Sequence, residues 1–194
     1  KETFSMWFKI IVACLPAAVV GLLFDDQLNE LFYNPTTVAV MLIIFGILFI
    51  VVENYNKGKR PTITSLADIT YTAAIIIGVW QLIAAVFPGT SRSGATIVGA
   101  LLIGVSRTVA AEFTFFLAIP VMFGASALKL LKFGLSFTGS ELMLLAVGLV
   151  VAFVVSILAI KFLMSYIKKN DFKFFGWYRI VLGIIVLAYF FIIK

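Results

Sequence analysis

The chain has 194 residues, of which 63% are apolar, 15% aromatic and only 12% charged. A soluble domain is about 45–50% apolar and about 25% charged, so these residues cannot cover a water-facing surface and a soluble globular fold is excluded. The net charge of +6, from 15 Lys and Arg against 9 Asp and Glu, then points to basic cytoplasmic loops and anionic lipid headgroups, not to nucleic acid. There is no histidine, which excludes a His-based nucleophile, general base or metal site within the chain. The one cysteine, Cys14, sits in an apolar run and excludes a disulfide framework or a thiolate metal cluster.

In chain order, apolar stretches long enough to span occur at Trp7–Phe24, Pro35–Val52, Val109–Leu131, Glu141–Ile160 and Gly176–Ile193. Eighteen helical residues rise about 27 Å, close to the hydrocarbon thickness of about 30 Å. None alternates as a barrel strand would. Turn chemistry separates them at Asp25-Asp26, Asn34-Pro35, Lys57-Gly58-Lys59-Arg60-Pro61 and Lys168-Lys169-Asn170-Asp171. No low-complexity linker divides the chain, so residues 1–194 read as a single transmembrane domain. The start, Lys1-Glu2-Thr3, has neither an initiator Met nor a signal-peptide pattern, and the chain is expected to begin inside a longer protein.

Tyr71–Val105 differs. Its 35 residues carry one charge, Arg92. A first arm, Tyr71–Phe87, meets the helix-breaking loop Pro88-Gly89-Thr90-Ser91-Arg92-Ser93. The second arm, Gly94–Val105, has 12 residues and reaches about 18 Å, too short to cross. The pattern predicts a helix–loop–helix hairpin in the membrane, with its irregular backbone lining protein or a wet cavity. Loop charge agrees. With both hairpin ends on one side, ten cations (Lys1, Lys9, Lys57, Lys59, Arg60, Arg107, Lys161, Lys168, Lys169, Lys173) oppose three (Lys129, Lys132, Lys194), and the positive-inside rule makes the richer side cytoplasmic. The fold class is an all-α integral membrane protein, a polytopic bundle containing a membrane hairpin. Ala17–Leu23 and Ala152–Leu158 match at four of seven positions, a faint echo of an internal repeat.

The hairpin loop holds the chemistry. An arginine inside a membrane costs several kcal/mol unless something offsets it, and its planar fork suits phosphate oxygens. Ser91, Ser93 and Thr96 put hydroxyls nearby, and Ser93 suits the N-cap of an arm starting at Gly94. That helix start would aim free N–H groups and positive dipole at an anion. Gly89 and Gly94 would let a ligand approach the backbone around Thr90. The alternative is a Ser/Gly hinge whose arginine pairs with a distant carboxylate. Gln81 either lines the site or makes an interhelical hydrogen bond. Arg107 either adds a second phosphate contact or snorkels as a cytoplasmic anchor. Glu112, five residues on, is off the good i,i+4 spacing for pairing with Arg107 on one helix and reads as a partner for an arginine, not as a catalyst. Arg179, beside Trp177 and Tyr178, reads as an interfacial anchor, and the many Phe as lipid-facing bulk.

The run Gln81…Pro88-Gly89-Thr90-Ser91-Arg92-Ser93-Gly94-Ala95-Thr96, followed by Gly104-Val105-Ser106-Arg107 and Ala111-Glu112-Phe113, closely resembles the undecaprenyl-diphosphatase family of the bacitracin-resistance type. The resemblance extends from Leu15-Pro16-Ala17 to the last helix. It implies an inverted-repeat enzyme of the bacterial inner membrane that hydrolyses undecaprenyl diphosphate to the monophosphate, recycling the carrier for cell-wall synthesis. It implies Arg92, Ser91, Ser93 and Thr96 as catalytic and Gly89, Thr90, Gly94, Gln81 and Arg107 as substrate-binding residues. It also implies Mg²⁺ or Ca²⁺ held by carboxylates outside this chain, and a homodimer is compatible with it. The glutamate-rich motif and Ser-Ser-x-Gly-His loop of the family's first hairpin do not occur here. A C-terminal piece of such an enzyme, without turnover of its own, is therefore expected over a degenerate relative. Ser91 or Ser93 would act as nucleophile only with a base from elsewhere. A transporter or flippase of an anionic lipid is the competing reading. The phosphatidic-acid phosphatase class is excluded, because its Ser-Arg-x5-His pattern requires a histidine where Val98 stands.

Overall fold

In the computed structural model, which describes residues 2–134 and 137–192, seven helices follow one another. They are α1 (Glu2–Phe32), α2 (Pro35–Tyr55), α3 (Tyr71–Val86), α4 (Arg92–Leu102), α5 (Arg107–Phe133), α6 (Gly139–Lys169) and α7 (Lys173–Ile192). Five of them contain a stretch long and apolar enough to cross a membrane, and α3 and α4 do not. The protein is a multi-pass helical membrane protein. Lys1, Lys194 and Ile193 from the sequence reading lie outside the described residues, as do the side chains of Asp25 and Asp26.

Local signals set the ends. Asn34 caps α2 by accepting from the Thr37 amide at 2.8 Å, ahead of Pro35 in the first turn, where proline's missing N–H costs nothing. Thr70 caps α3, Ser106 caps α5, and Thr138 with Glu141 forms a capping box on α6. The turn expected at Asp25-Asp26 is absent, since α1 runs through it to Phe32. Gln27–Phe32 contains no Gly or Pro, and the chain breaks only where Pro35 restricts its predecessor.

Where the elements meet is decided by small residues. A β-carbon on Gly78 of α3 would strike the backbone of Ala13 in α1. On Gly46 of α2 it would lie 2.7 Å from the Gly176 carbonyl of α7. Lipid tails are as apolar as leucine, so these helices associate by close backbone approach. Four phenylalanines that read as lipid-facing bulk, Phe45, Phe49, Phe113 and Phe172, are instead buried. Of the described α6 side chains only Ile167 is buried.

Both ends of the α3–α4 hairpin lie at one end of the bundle. There Ile63 pairs with Val105, the Asn56 amide donates to the Leu101 carbonyl at 2.9 Å, and Lys9 reaches the Ala67 carbonyl. Glu53 of α2, 1% exposed at its side chain, receives the fork of Arg107 from α5 and the Phe172 amide at 3.0 Å. The hairpin tip lies towards the opposite end. Phe87 packs edge-on to Phe32 with ring centroids 4.8 Å apart, and Gly89 sits on the Val38 backbone at the start of α2.

Candidate active site

The tip of the hairpin is shaped by two left-handed residues, Gly89 (φ 88°) and Ser91 (φ 66°). At Gly89 the position is doubly restricted, because a β-carbon would also meet Val38. Ser91 is the non-glycine residue with positive φ among the described residues, a conformation that costs a serine energy and recurs at functional loops. Its turn starts α4 two residues earlier than the sequence suggests. The N-cap is Ser91, not Ser93: the Ser91 hydroxyl accepts from the Gly94 amide at 3.3 Å. Arg92 thereby becomes the first helical residue instead of a loop residue.

That start separates the candidate residues, because successive helical side chains point about 100° apart. Arg92 faces a cavity of about 630 Å³ between α1, α3 and α5. Its walls are mostly small: Cys14, Ala17, Ala18 and Gly21 from α1, Ala84 and Ala85 from α3, Pro120, Gly124 and Ala125 from α5. Gln81 faces the same space, 1% exposed, and neither its amide nitrogen nor its oxygen has a hydrogen-bond partner among the described residues. Lys129 and Lys132 complete the lining. Ser91 and Ser93, their hydroxyls 3.2 Å apart, border a second cavity of about 220 Å³ with Gly94, Phe49, Phe172, Tyr178 and Arg179.

The remaining polar candidates, Thr96, Thr90 and Arg107, do not line the Arg92 cavity. Thr96 is fully buried, its hydroxyl 3.1 Å from the Arg92 and Ser93 carbonyls and 2.9 Å from the Thr114 hydroxyl of α5. It ties the first turn of α4 to α5. Thr90 is also fully buried and its hydroxyl has no partner among the described residues. Arg107 is held by Glu53 beyond the far end of α4 and does not join the tip. Its carboxylate partner is Glu53, 54 residues away.

Sequence reading missed Arg179. It is no interfacial anchor: only 9% exposed, it extends from α7 and donates to the carbonyls of Gly89 at 2.7 Å and Thr90 at 2.6 Å. One guanidinium nitrogen, Nη2, thus serves two loop carbonyls, while the buried Nε has no partner among the described residues. The available signal was its position within an apolar run, since an ionisable residue inside a span is functional or paired by default.

Electrostatically, the Arg92 cavity brings a guanidinium, two ammonium groups and an amide together beside apolar walls. This favours an anion. Hard divalent cations want several oxygen ligands, chiefly carboxylates. The lining offers the Gln81 amide oxygen and no carboxylate, and no cluster of three His, Cys, Asp or Glu occurs among the described residues. These residues do not fit Mg²⁺ or Ca²⁺ by themselves.

Residues 1–185 match the family model described as Bacitracin resistance protein BacA. The chain is 77% identical over 190 residues to an undecaprenyl-diphosphatase of Desulfitobacterium hafniense, covering 98% of this chain and 68% of that protein. It is 69% identical over 193 residues to undecaprenyl-diphosphatase 1 of Clostridium acetobutylicum, covering 100% and 70%. It is 64% identical over 187 residues to an undecaprenyl-diphosphatase of Enterococcus faecalis, covering 96% and 67%.

Proposed function

Because this chain belongs to the BacA family of bacitracin resistance proteins, we propose that it is an undecaprenyl-diphosphatase, hydrolysing undecaprenyl diphosphate to undecaprenyl phosphate and inorganic phosphate. The product is the carrier lipid of cell-wall synthesis in its reusable form, and its regeneration accounts for bacitracin resistance. The observation that carries this reading is Arg92 at the first turn of α4, facing a membrane cavity together with the buried, unpartnered Gln81.

The chemistry follows from charge. Water adds to the terminal phosphorus, the anhydride P–O bond breaks, and negative charge accumulates on the phosphoryl oxygens and on the departing lipid monophosphate. A guanidinium already in place stabilises that charge without reorganising, and more strongly where water is scarce. Arg92 takes two oxygens in its fork, while Gln81 donates from its amide and finds the partner it lacks. Arg179 and Thr96 are positioning residues, one fixing the loop carbonyls and the other the first turn of α4. Ser91 acts through the same turn, as its cap, and Ser93 borders the second cavity. Gly89 and Thr90 shape the tip and Gly94 the first turn, and Arg107 secures the opposite end. Activation of the water is assigned to none of the lining residues, and no step is routed through a metal ion.

Orientation follows from the same frame. The end holding Lys9, Lys57, Lys59, Arg60, Arg107, Lys161, Lys168, Lys169 and Lys173 is basic, whereas Lys129 and Lys132 stand towards the other. The positive-inside rule makes the first cytoplasmic, which sets the hairpin tip in the outer half of the bacterial inner membrane.

The test is phosphate release from undecaprenyl diphosphate in detergent by the full-length enzyme, comparing the parent with Arg92→Lys. Lysine keeps the charge and loses the fork. Losing one preorganised donor to a transition-state oxyanion costs about 10²–10³ in kcat. A variant with near-normal kcat would reject the clamp.

A further inference from the structure

Apart from Arg92 in the hairpin and Arg179, which serves the hairpin-tip carbonyls, nine of the described cations stand towards the basic end and two towards the other, Lys129 and Lys132. Topology alone does not require these two, since the orienting rule counts cations on the cytoplasmic side. Both nevertheless line the cavity that contains Arg92. They are three residues apart on the last turns of α5, hence on one face of that helix. No carboxylate shares the lining. Deeper in, the buried Gln81 amide has no hydrogen-bond partner among the described residues, so the same space offers polar atoms that await a ligand.

An anionic headgroup carried by a membrane lipid starts at the interface and must reach Arg92, which is half-buried among apolar walls. Leaving the interface unaccompanied is costly for a multiply charged phosphate. Cations spaced between mouth and clamp lower that cost stepwise and raise the local concentration of the anion. We propose that Lys129 and Lys132 form the capture station of the site, binding the diphosphate at the cavity mouth before it reaches Arg92. This rests on the diphosphatase reading and deepens it. The two lysines are binding residues that govern the affinity for the second negative group, and they take no part in bond breaking.

Two measurements test it on the protein reconstituted in phosphatidylcholine vesicles. The first is steady-state hydrolysis by the double variant Lys129→Met, Lys132→Met, which keeps the aliphatic stems. Each basic residue near an anionic surface contributes modestly and salt screens it, so KM should rise about tenfold, with kcat within about twofold and a flatter dependence of KM on ionic strength. Lys129→Arg with Lys132→Arg should restore KM. An unchanged KM and salt slope, or a loss confined to kcat, would overturn the proposal.

The second measurement does not depend on turnover. Cys14, the sole cysteine, lines the same cavity, so its reaction with a charged methanethiosulfonate reports occupancy. Inorganic pyrophosphate should slow that reaction in the parent protein, and the double methionine variant should need about tenfold more for equal protection. Equal protection in both would overturn the lysine assignment and leave the Arg92 site standing. Protection in neither would overturn the anion site itself and the lysine assignment with it.

Discussion

Arg92 and Arg179 line different cavities beside the hairpin tip and do different work. Arg92 faces open space with its fork available, whereas Arg179 commits its Nη2 to the carbonyls of Gly89 and Thr90. A buried carbonyl left unsatisfied costs about 1–3 kcal/mol. Arg179→Leu strands two of them, so it should lower stability by a few kcal/mol and also lose activity, because Ser91 and the start of α4 depend on that turn. Thermal unfolding in detergent alongside phosphate release checks both. Unchanged unfolding would mean that the carbonyls find other donors. Arg92→Lys differs by leaving unfolding near normal, since no neighbour among the described residues relies on its fork. The two arginines are thus separable by pairing an activity assay with a stability assay.

Glycine sets the distance between helices. Gly46 meets Gly176 and Ile180 across the α2–α7 crossing, where an added β-carbon would lie 2.7 Å from both the Gly176 carbonyl and the Ile180 side chain. Backbone cannot yield as a side-chain end can. Gly46→Leu should therefore force the crossing apart and lose about 1–3 kcal/mol, the usual cost of overpacking. Gly148 on α6 has nothing within 4 Å of the corresponding position. Gly148→Leu should be neutral or slightly stabilising, because leucine is the better helix former. Comparing the two melting temperatures isolates packing from propensity, and equal shifts would refute the close-approach account. The crossing bears on function because α2 underlies Gly89 through Val38 and α7 supplies Arg179.

Across the whole molecule, the hairpin is held at both extremes. Its ends are fixed at the basic end by Asn56, Ile63 and the Glu53–Arg107 pair, and its tip is seated on α2 near the opposite end. This arrangement places the loops 56–70 and 170–172 on one side of the membrane. In a Cys14→Ala background, Lys59→Cys and Asn170→Cys should be labelled by a membrane-impermeant maleimide from the cytoplasmic face only, and Ser140→Cys from the outer face only. Labelling of residues 59 and 170 from opposite faces would defeat the hairpin and, with it, the outward placement of the cavity.

Much of this protein is settled by composition and local pattern. Sixty-three per cent apolar residues and five long apolar runs point to a helical membrane bundle, because only helices and closed barrels satisfy their backbone in lipid and none of these runs alternates as a barrel strand would. Pro88, Gly89 and the isolated Arg92 mark the hairpin tip for the same local reason. Side-chain direction is another matter. Whether Ser91 or Ser93 caps α4 turns on a single φ angle, and that choice rotates Arg92 into one cavity and leaves the serines at another. The partners of buried charges are likewise set by packing: Glu53 and Arg107 are 54 residues apart, and Arg179 lies 89 and 90 residues from the carbonyls it serves. Sequence spacing is informative over one or two helical turns. Beyond that the tertiary structure alone decides which charge meets which group, because close approach of whole helices brings those groups together.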